Sequence, residues 1–487
     1  MVRIMLKKTI ALILSTSLLL QSTSIVYADN INLPDIGTAA ATTLSIGQEM
    51  EMGDYYMRML RASAPIINDP VLNQYINDLG KKLVSKSESV KTPFHFYIMK
   101  SDVLNAFAFF GGNVVIHSKL ILDTDNESQL ASVISHEIGH VTQRHLARAM
   151  ENQNRNSPYV WGATLGSLLL TLANPEAGMA AMTSTMAGSA QNMISFTQSN
   201  EQEADRVGLR TLAKAGFDPY ASSEFLQKLA DQSRFSSKAP EILLTHPLPN
   251  SRLTDIRNRS LQYSKKNVSP SLNYYLAKAR LAILMVKNKN TAKLLLEDYK
   301  KLNNEQSKTA IIYANALVDN LSGNNQKAKQ QLQPLLDSDP NNIWYIDLMT
   351  DIDLALNNSS TAITRLQAAL KKAPNSSALQ LNLANAYIKN KNYQQAVSLL
   401  HRYTFDHNDD SNGWELLVTA YGGLHARAKE MSARAELIAL EGQFQQSIQL
   451  LQNAKNQTKG DQTMISKIDA RINQLKQLQK RYAAYKR

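Results

Sequence analysis

His136-Glu137-Ile138-Gly139-His140 sets two imidazoles four residues apart, with a carboxylate beside the first. On a helix, positions i and i+4 share a face, so both rings reach one metal ion and the glutamate reaches a water at that ion. The flanking residues suit a helix. Leu130, Ile134, Ile138 and Val141 form an apolar stripe, and Thr124 with Glu127 predicts a capping box at its start. A hydrolytic zinc site takes a third protein ligand and keeps one position for water. A third histidine at 146, preceded by glycine at 143, is excluded because these positions are Leu146 and Gln143. His145 falls one residue short and reads as a packing or solvent-facing ring. The other source is Asn200-Glu201-Gln202-Glu203-Ala204-Asp205, where Val207, Leu209 and Leu212 follow at helical spacing. Glu201 and Asp205 share a face, and Glu203 points about 200° away from Glu201. Glu201 is therefore the expected third ligand. Asp205 is expected to accept the outer N–H of a ligand histidine, and Glu203 to be solvated.

Composition narrows the classes around this motif. A chain of 487 residues, 44% hydrophobic and 19% charged, is long enough for two to four domains with real cores. It has no cysteine, which excludes disulfides, thiolate metal sites, a thiol nucleophile and a cysteine-linked lipid anchor. At the N-terminus Arg3, Lys7 and Lys8 precede the apolar run Thr9 to Leu20, and Val26-Tyr27-Ala28 has the small-x-small form of a cleavage site. Residues 1–28 thus read as a signal peptide, since the run falls short of the roughly 20 apolar residues that span a bilayer. Its removal takes three of 53 basic residues and no acidic one, leaving 50 against 41, so +12 becomes +9. No dense basic block accompanies that charge, and no nucleic-acid partner is expected. An exported chain without cysteine fits the periplasm of a Gram-negative bacterium.

The two halves of the chain differ in texture. Residues 29–265 mix strand-like runs, Phe94 to Met99 and Asn113 to His117, with helical ones. Residues 266–487 are helical in pattern and repeat. Pro340 and Pro374 are 34 residues apart. Ala316, Ala328 and Leu332 recur as Ala362, Leu366 and Ala369, then as Leu383, Ala384, Tyr387, Ala396 and Leu400, and again from Trp414, Leu417 and Tyr421. The frame slips by half a repeat beyond Tyr421 and resumes at Phe444 to Ala454, while residues near 270 to 300 look like a degenerate leading unit. This pattern resembles the tetratricopeptide repeat, a helical hairpin whose small residues let its two helices pack closely. A stack of such hairpins offers a groove for peptides or protein partners. The expected fold is mainly α with a small β-sheet: an α+β metallopeptidase domain of zincin type, then an α-solenoid.

The HEIGH and NEQEAD motifs, with Asn105-Ala106-Phe107-Ala108 and Gly111-Gly112 before Asn113 to His117, resemble the gluzincin peptidases. That family includes the bacterial heat-shock membrane protease and the eukaryotic CAAX prenyl protease. Within it, the layout of signal, peptidase and repeats is similar to that of the periplasmic β-barrel assembly-enhancing proteases. The resemblance implies one zinc ion per chain, held by His136, His140 and Glu201, with Glu137 as general base. Its implied substrates are unfolded or misassembled outer-membrane β-barrel proteins, with a chaperone-like role at the outer-membrane assembly machinery through the repeats. A rival reading is a repeat-based scaffold whose zinc site is latched or idle.

Three further features remain. Thr245-His246-Pro247 is a rigid loop before the repeats, and the resemblance brings His246 near the metal as a latch ligand, an oxyanion donor or a structural cap. Arg252 is a second oxyanion candidate or a pin for the domain junction. Residues 156–200 carry a single charge before Glu201, Glu176, and read as a helical cover over the cleft, a peripheral membrane contact or ordinary buried helices. An extended substrate is expected along Asn113, Val114, Val115 and Ile116 by strand addition.

Overall fold

In the computed structural model, residues 44–153, 198–235, 240–285, 289–458 and 460–485 are described. The export signal expected at 1–28 and nearly all of segment 156–200 lie outside them. The described part opens with α1 (Ile46–Ser63), whose capping residue Ser45 accepts the Gln48 N–H, and α2 (Pro70–Val84), which Asp69 caps on Leu72. Then come β1 (His95–Met99), β2 (Ala106–Phe109) and β3 (Asn113–His117). The turn between β2 and β3 needs positive φ at Gly111 and Gly112, and the Pro93 carbonyl leaves no room for a side chain at Gly112.

β1 and β3 run parallel and β2 joins β3 antiparallel, so the order is β1-β3-β2. β3 is the central strand, and all five of its residues are buried. This corrects the expectation that Asn113, Val114, Val115 and Ile116 receive a substrate. Both of their edges already carry a ladder, so no backbone donors remain in line for another strand. The edge strand packed against the metal-motif helix is β2.

The next elements are α3 (Ser118–Asp123), α4 (Glu127–Thr142), α5 (His145–Gln153), α6 (Gln198–Lys214), α7 (Tyr220–Phe235), the short α8 (Ile242–Thr245) and α9 (Asn250–Ser260). α4 carries HEIGH, and its stripe of Leu130, Ile134 and Ile138 is fully buried. Its cap is Asn126, whose Oδ1 accepts the Gln129 N–H, rather than the expected Thr124 and Glu127 pair. Thr124 lies buried two residues earlier, donating to Ile121 O, while the Glu127 carboxylate accepts from Tyr75 and Ser271. Asn126 is the last extended residue before the helix, which is the geometry that lets a short side chain reach the first-turn amides.

The solenoid comprises α10 (Leu272–Met285), α11 (Lys289–Leu302), α12 (Glu305–Leu321), α13 (Asn325–Ser338), α14 (Ile343–Ala355), α15 (Ser359–Lys372), α16 (Ser377–Lys389), α17 (Tyr393–Asp406), α18 (Ser411–Gly423), α19 (Arg427–Leu440), α20 (Phe444–Gln457) and α21 (Gln462–Tyr482). Ala316, Ala328, Leu332, Ala362, Leu366, Ala384, Ala396 and Leu400 have no exposed surface. The alanines let paired helices approach, and each buried leucine contributes roughly 1.5–3 kcal/mol. Where the sequence frame slips, helices still follow at the same spacing, starting at 411, 427 and 444. The slip is one of residue type, with no gap in the stack.

Both ends of the solenoid grip the peptidase half. At the first end Tyr274 Oη and Lys278 Nζ donate to Thr124 O at 2.5 and 2.6 Å. Arg280 pairs with Asp69 at 2.7 Å and Asp347 at 2.8 Å. One apolar core accordingly runs from Leu72 and Ile76 of α2 through Tyr274 into the repeats. At the other end Tyr482 donates to Asp54 of α1, and Arg481 lies 3.2 Å from Glu51. A second core there joins Tyr56 and Leu60 to Ile448 and Leu475. Among the described residues no helix is long and apolar enough to cross a membrane.

Candidate metal centre

The site forms where α4 and α6 cross. A side chain at Gly139 would come within 3.0 Å of Ala204 O, and one at Gly208 within 3.0 Å of His136 N. Two glycines, one per helix, thus allow an approach that brings Glu201 up to the histidines. His136 Nε2 and His140 Nε2 are 2.9 Å apart. Glu201 lies 3.4 Å from the first and 3.3 Å from the second. His246 adds Nδ1, 3.4 Å from His136 Nε2 and 3.1 Å from Glu201 Oε1. The donor atoms of these four residues all fall within 4.8 Å of one another. Ligands at zinc's usual 2.0–2.1 Å in a tetrahedron are about 3.3 Å apart, close to the 2.9–3.4 Å between these pairs.

The electrostatics agree with a cation. Glu137, Glu201 and Asp205 are three buried carboxyl groups gathered around the buried Arg252 guanidinium, a setting that favours positive charge on the rings or on an ion held between them. Burial pushes the His136 ring down, but the Asp205 and Glu201 carboxylates outweigh it and hold it up at about 10. Burial, and then the charge at His136, pushes His140 well below the usual histidine range. Glu201 is held well down because His246 and Arg252 outweigh its burial, and Asp205 is held at about 2 because Arg252 does the same. Glu137 Oε1 is buried without a hydrogen-bond partner, and His246 Nε2 lies 3.5 Å from it. An oxygen so placed suits a group whose partner arrives with a loaded site.

The residues behind these atoms fix them. Asp205 Oδ1 is 2.9 Å from His136 Nδ1, as the i, i+4 spacing with Glu201 leads one to expect. Arg252, on α9, makes a forked pair with Asp205 at 2.6 and 2.9 Å and reaches Glu201 at 2.6 Å. It also donates to the His246 and Pro247 carbonyls. These contacts tie Glu201, Asp205 and the His246 loop together, and Arg252 also lines the cleft beside Glu137. His246 ends α8, its N–H on Ile242 O and its ring buried. An apolar cleft lined by Val133, Phe225, Leu229, Ile242 and Leu243 adjoins Glu137.

Two residues make contacts that their sequence reading did not include. His145 is wholly buried, its Nδ1 2.8 Å from His140 Nδ1, and Glu203 bonds to His145 Nε2 at 3.1 Å and to Arg148 at 2.6 Å. His145 is thus a packing ring and Glu203 is half-buried, its side chain 30% exposed. The cause is Arg144, which adopts φ of 53° between α4 and α5 and so folds α5 back beside α6. That left-handed residue is held by its guanidinium, bonded to Glu49 at 2.8 Å and to Leu44 O at 2.6 Å. Nothing in the sequence marks Arg144 for this conformation, so the return of His145 to the site carried no local signal.

Comparison with known proteins adds the family context. The model of Peptidase family M48 matches residues 70–260, and a tetratricopeptide repeat model matches 353–418. The chain is 53% identical over 482 residues to the beta-barrel assembly-enhancing protease of Escherichia coli (strain K12), covering 99% of each chain. It is 52% identical over 455 residues to the protein of that name from Yersinia pestis, covering 93% of this chain and 94% of the other. A putative beta-barrel assembly-enhancing protease of Vibrio cholerae is 45% identical over 454 residues, with the same coverage.

Proposed function

The chain belongs to the beta-barrel assembly-enhancing proteases of peptidase family M48, and from that premise we propose that it is a periplasmic zinc endopeptidase that degrades misfolded or stalled outer-membrane β-barrel proteins and assists their assembly. The observation that carries this reading is the buried cluster of His136, His140, Glu201 and His246 with Glu137 beside it. One zinc ion per chain suits these nitrogen and oxygen donors, in a chain that has no thiolate to offer. Signal-peptide cleavage near Ala28 would deliver the chain to the periplasm.

Zinc bound there would polarise the scissile carbonyl and acidify a water. Glu137 Oε1, unpartnered and adjacent to the ligands, takes the water's proton and returns it to the leaving amine. Asp205 keeps the Nδ1 proton of His136 in place, so that Nε2 offers its lone pair. Arg252 holds Glu201 and Asp205 at their positions. An extended substrate has β2, the edge strand against α4, as its backbone partner, which favours unfolded β-rich chains over any one sequence. The repeats supply the surface for the assembly machinery and for chaperone-like handling of clients.

The second reading, a scaffold with a latched site, is favoured by His246, whose Nδ1 sits among the ligand atoms where a substrate or water would enter. One experiment separates the two. Purified mature chain is tested for cleavage of an unfolded β-barrel protein against Glu137→Gln, His246→Ala and chelator-treated protein. Cleavage is expected to fall by about 10²–10⁴-fold in Glu137→Gln, to vanish with chelator, and to rise in His246→Ala. Equal cleavage by wild type and Glu137→Gln overturns the protease reading.

A further inference from the structure

We propose that His145 and Glu203 are positioning residues that fix the tautomer of His140, a buried His-His-carboxylate relay that completes the metal centre on the side away from Asp205. The inference rests on the reading of His136, His140 and Glu201 as ligands, and it follows the protons outward from there. His140 Nε2 lies among the donor atoms, 2.9 Å from His136 Nε2 and 3.3 Å from Glu201 Oε1, so as a ligand it gives its lone pair to the ion, and the ring's proton then belongs on Nδ1. That Nδ1–H donates to His145 Nδ1 at 2.8 Å. His145 then carries its own proton on Nε2 and donates it to Glu203 Oε2 at 3.1 Å. Arg148 closes the line, donating to the same oxygen at 2.6 Å. Each of these three hydrogen bonds then has one donor and one acceptor.

The opposite assignment fails twice. A proton on His145 Nδ1 would force that of His140 onto Nε2, aimed at His136, and would leave the Glu203 carboxylate against a bare ring nitrogen. The two ligand histidines are therefore fixed by two carboxylates of α6 in different ways. Asp205 contacts His136 directly, whereas Glu203 reaches His140 through an inserted ring. The left-handed turn at Arg144 is what brings that ring into line. His145 has no exposed surface, and the Glu203 side chain keeps 30% of its own, so the relay runs from the centre to the protein surface.

The test is zinc affinity, read on the full mature chain by competition with a chelating dye, alongside the melting temperature of the metal-free protein. His145→Phe fills the same space without hydrogen bonds and is expected to bind zinc about 10–100-fold more weakly. His145→Gln, whose amide accepts from His140 and donates to Glu203, is expected to recover most of that loss at a similar metal-free melting temperature. Glu203→Gln, at a partly exposed position where folding is not at stake, is expected to weaken zinc about tenfold or somewhat less. An affinity within twofold of wild type in both His145→Phe and Glu203→Gln overturns the relay. If His145→Phe does not fold, Glu203→Gln alone decides by the same criterion. A wild-type chain that binds no zinc instead overturns the metal-centre reading on which the relay depends.

Discussion

The crossing of α4 and α6 and the hairpin of α16 and α17 use one packing device for opposite ends. Each brings two helices close by placing small residues at the contact, Gly139 and Gly208 in the first, Ala384 and Ala396 in the second. In the hairpin, closeness lets Ile388, Val397 and Leu400 exclude water, and burial of apolar area is the stabilising term. In the crossing, closeness drives Glu201 and Asp205 against two imidazoles, and burial opposes folding unless charge is matched. The solenoid is thus held by shape, and the metal centre by compensation. A substitution that conserves volume should be mild in one and severe in the other.

Arg252→Leu tests the severe side, since it keeps much of the volume and removes the one buried guanidinium at the site. Leaving Glu201 and Asp205 without it is expected to cost about 3–5 kcal/mol in urea unfolding of the metal-free chain. Saturating zinc should return part of that loss. Equal stability with and without the guanidinium would break the contrast.

His117, at the end of β3, is a milder case of a buried polar group without a charge partner. Its Nδ1–H donates to Val103 O, and burial pushes its pKa down to about 4. Because the unfolded ring titrates near 6.5, the unfolded chain binds the proton first as pH falls. The stability from this group is complete above that value and declines until about pH 4, by about 3 kcal/mol. His117→Asn should flatten this part of the profile when unfolding is followed between pH 7 and 4. Smallest of all, Ile352→Val in the solenoid core should cost about 1 kcal/mol in the urea midpoint and leave cleavage of a short peptide unchanged.

The sequence revealed what periodicity controls. His136, His140 and Glu201 were legible because i, i+4 spacing fixes a helix face wherever the helix lies, and the repeats were legible because small residues recur at constant offsets. The position of β3 was hidden, since a parallel pairing of β1 with β3 past β2 depends on a crossover and leaves no mark in strand composition. The relay through His145 was hidden for a related reason. It depends on a single left-handed residue, Arg144, stabilised by Glu49 nearly a hundred positions earlier. The angle of Glu203 on α6 does turn it away from Glu201, but it does not say that His145 and Arg148 of α5 meet it there, so the carboxylate is half-buried where solvation was expected.

The hold of α21 on α1 has a consequence for how the molecule is made. Tyr482 meets Asp54 across 428 residues, and Tyr485 reaches Glu51 from even further along the chain. Contacts of such sequence separation form late, because closing so long a loop carries its entropic penalty before any contact offsets it. Until the last helix leaves the ribosome, the apolar face of α1 around Tyr56 and Leu60 lacks its cover from Leu475 and Tyr482. α1 also carries Glu49, which holds the turn at Arg144 beside the metal centre. Chain termination a few dozen residues early would therefore remove a distant helix and, with it, the support of the first one.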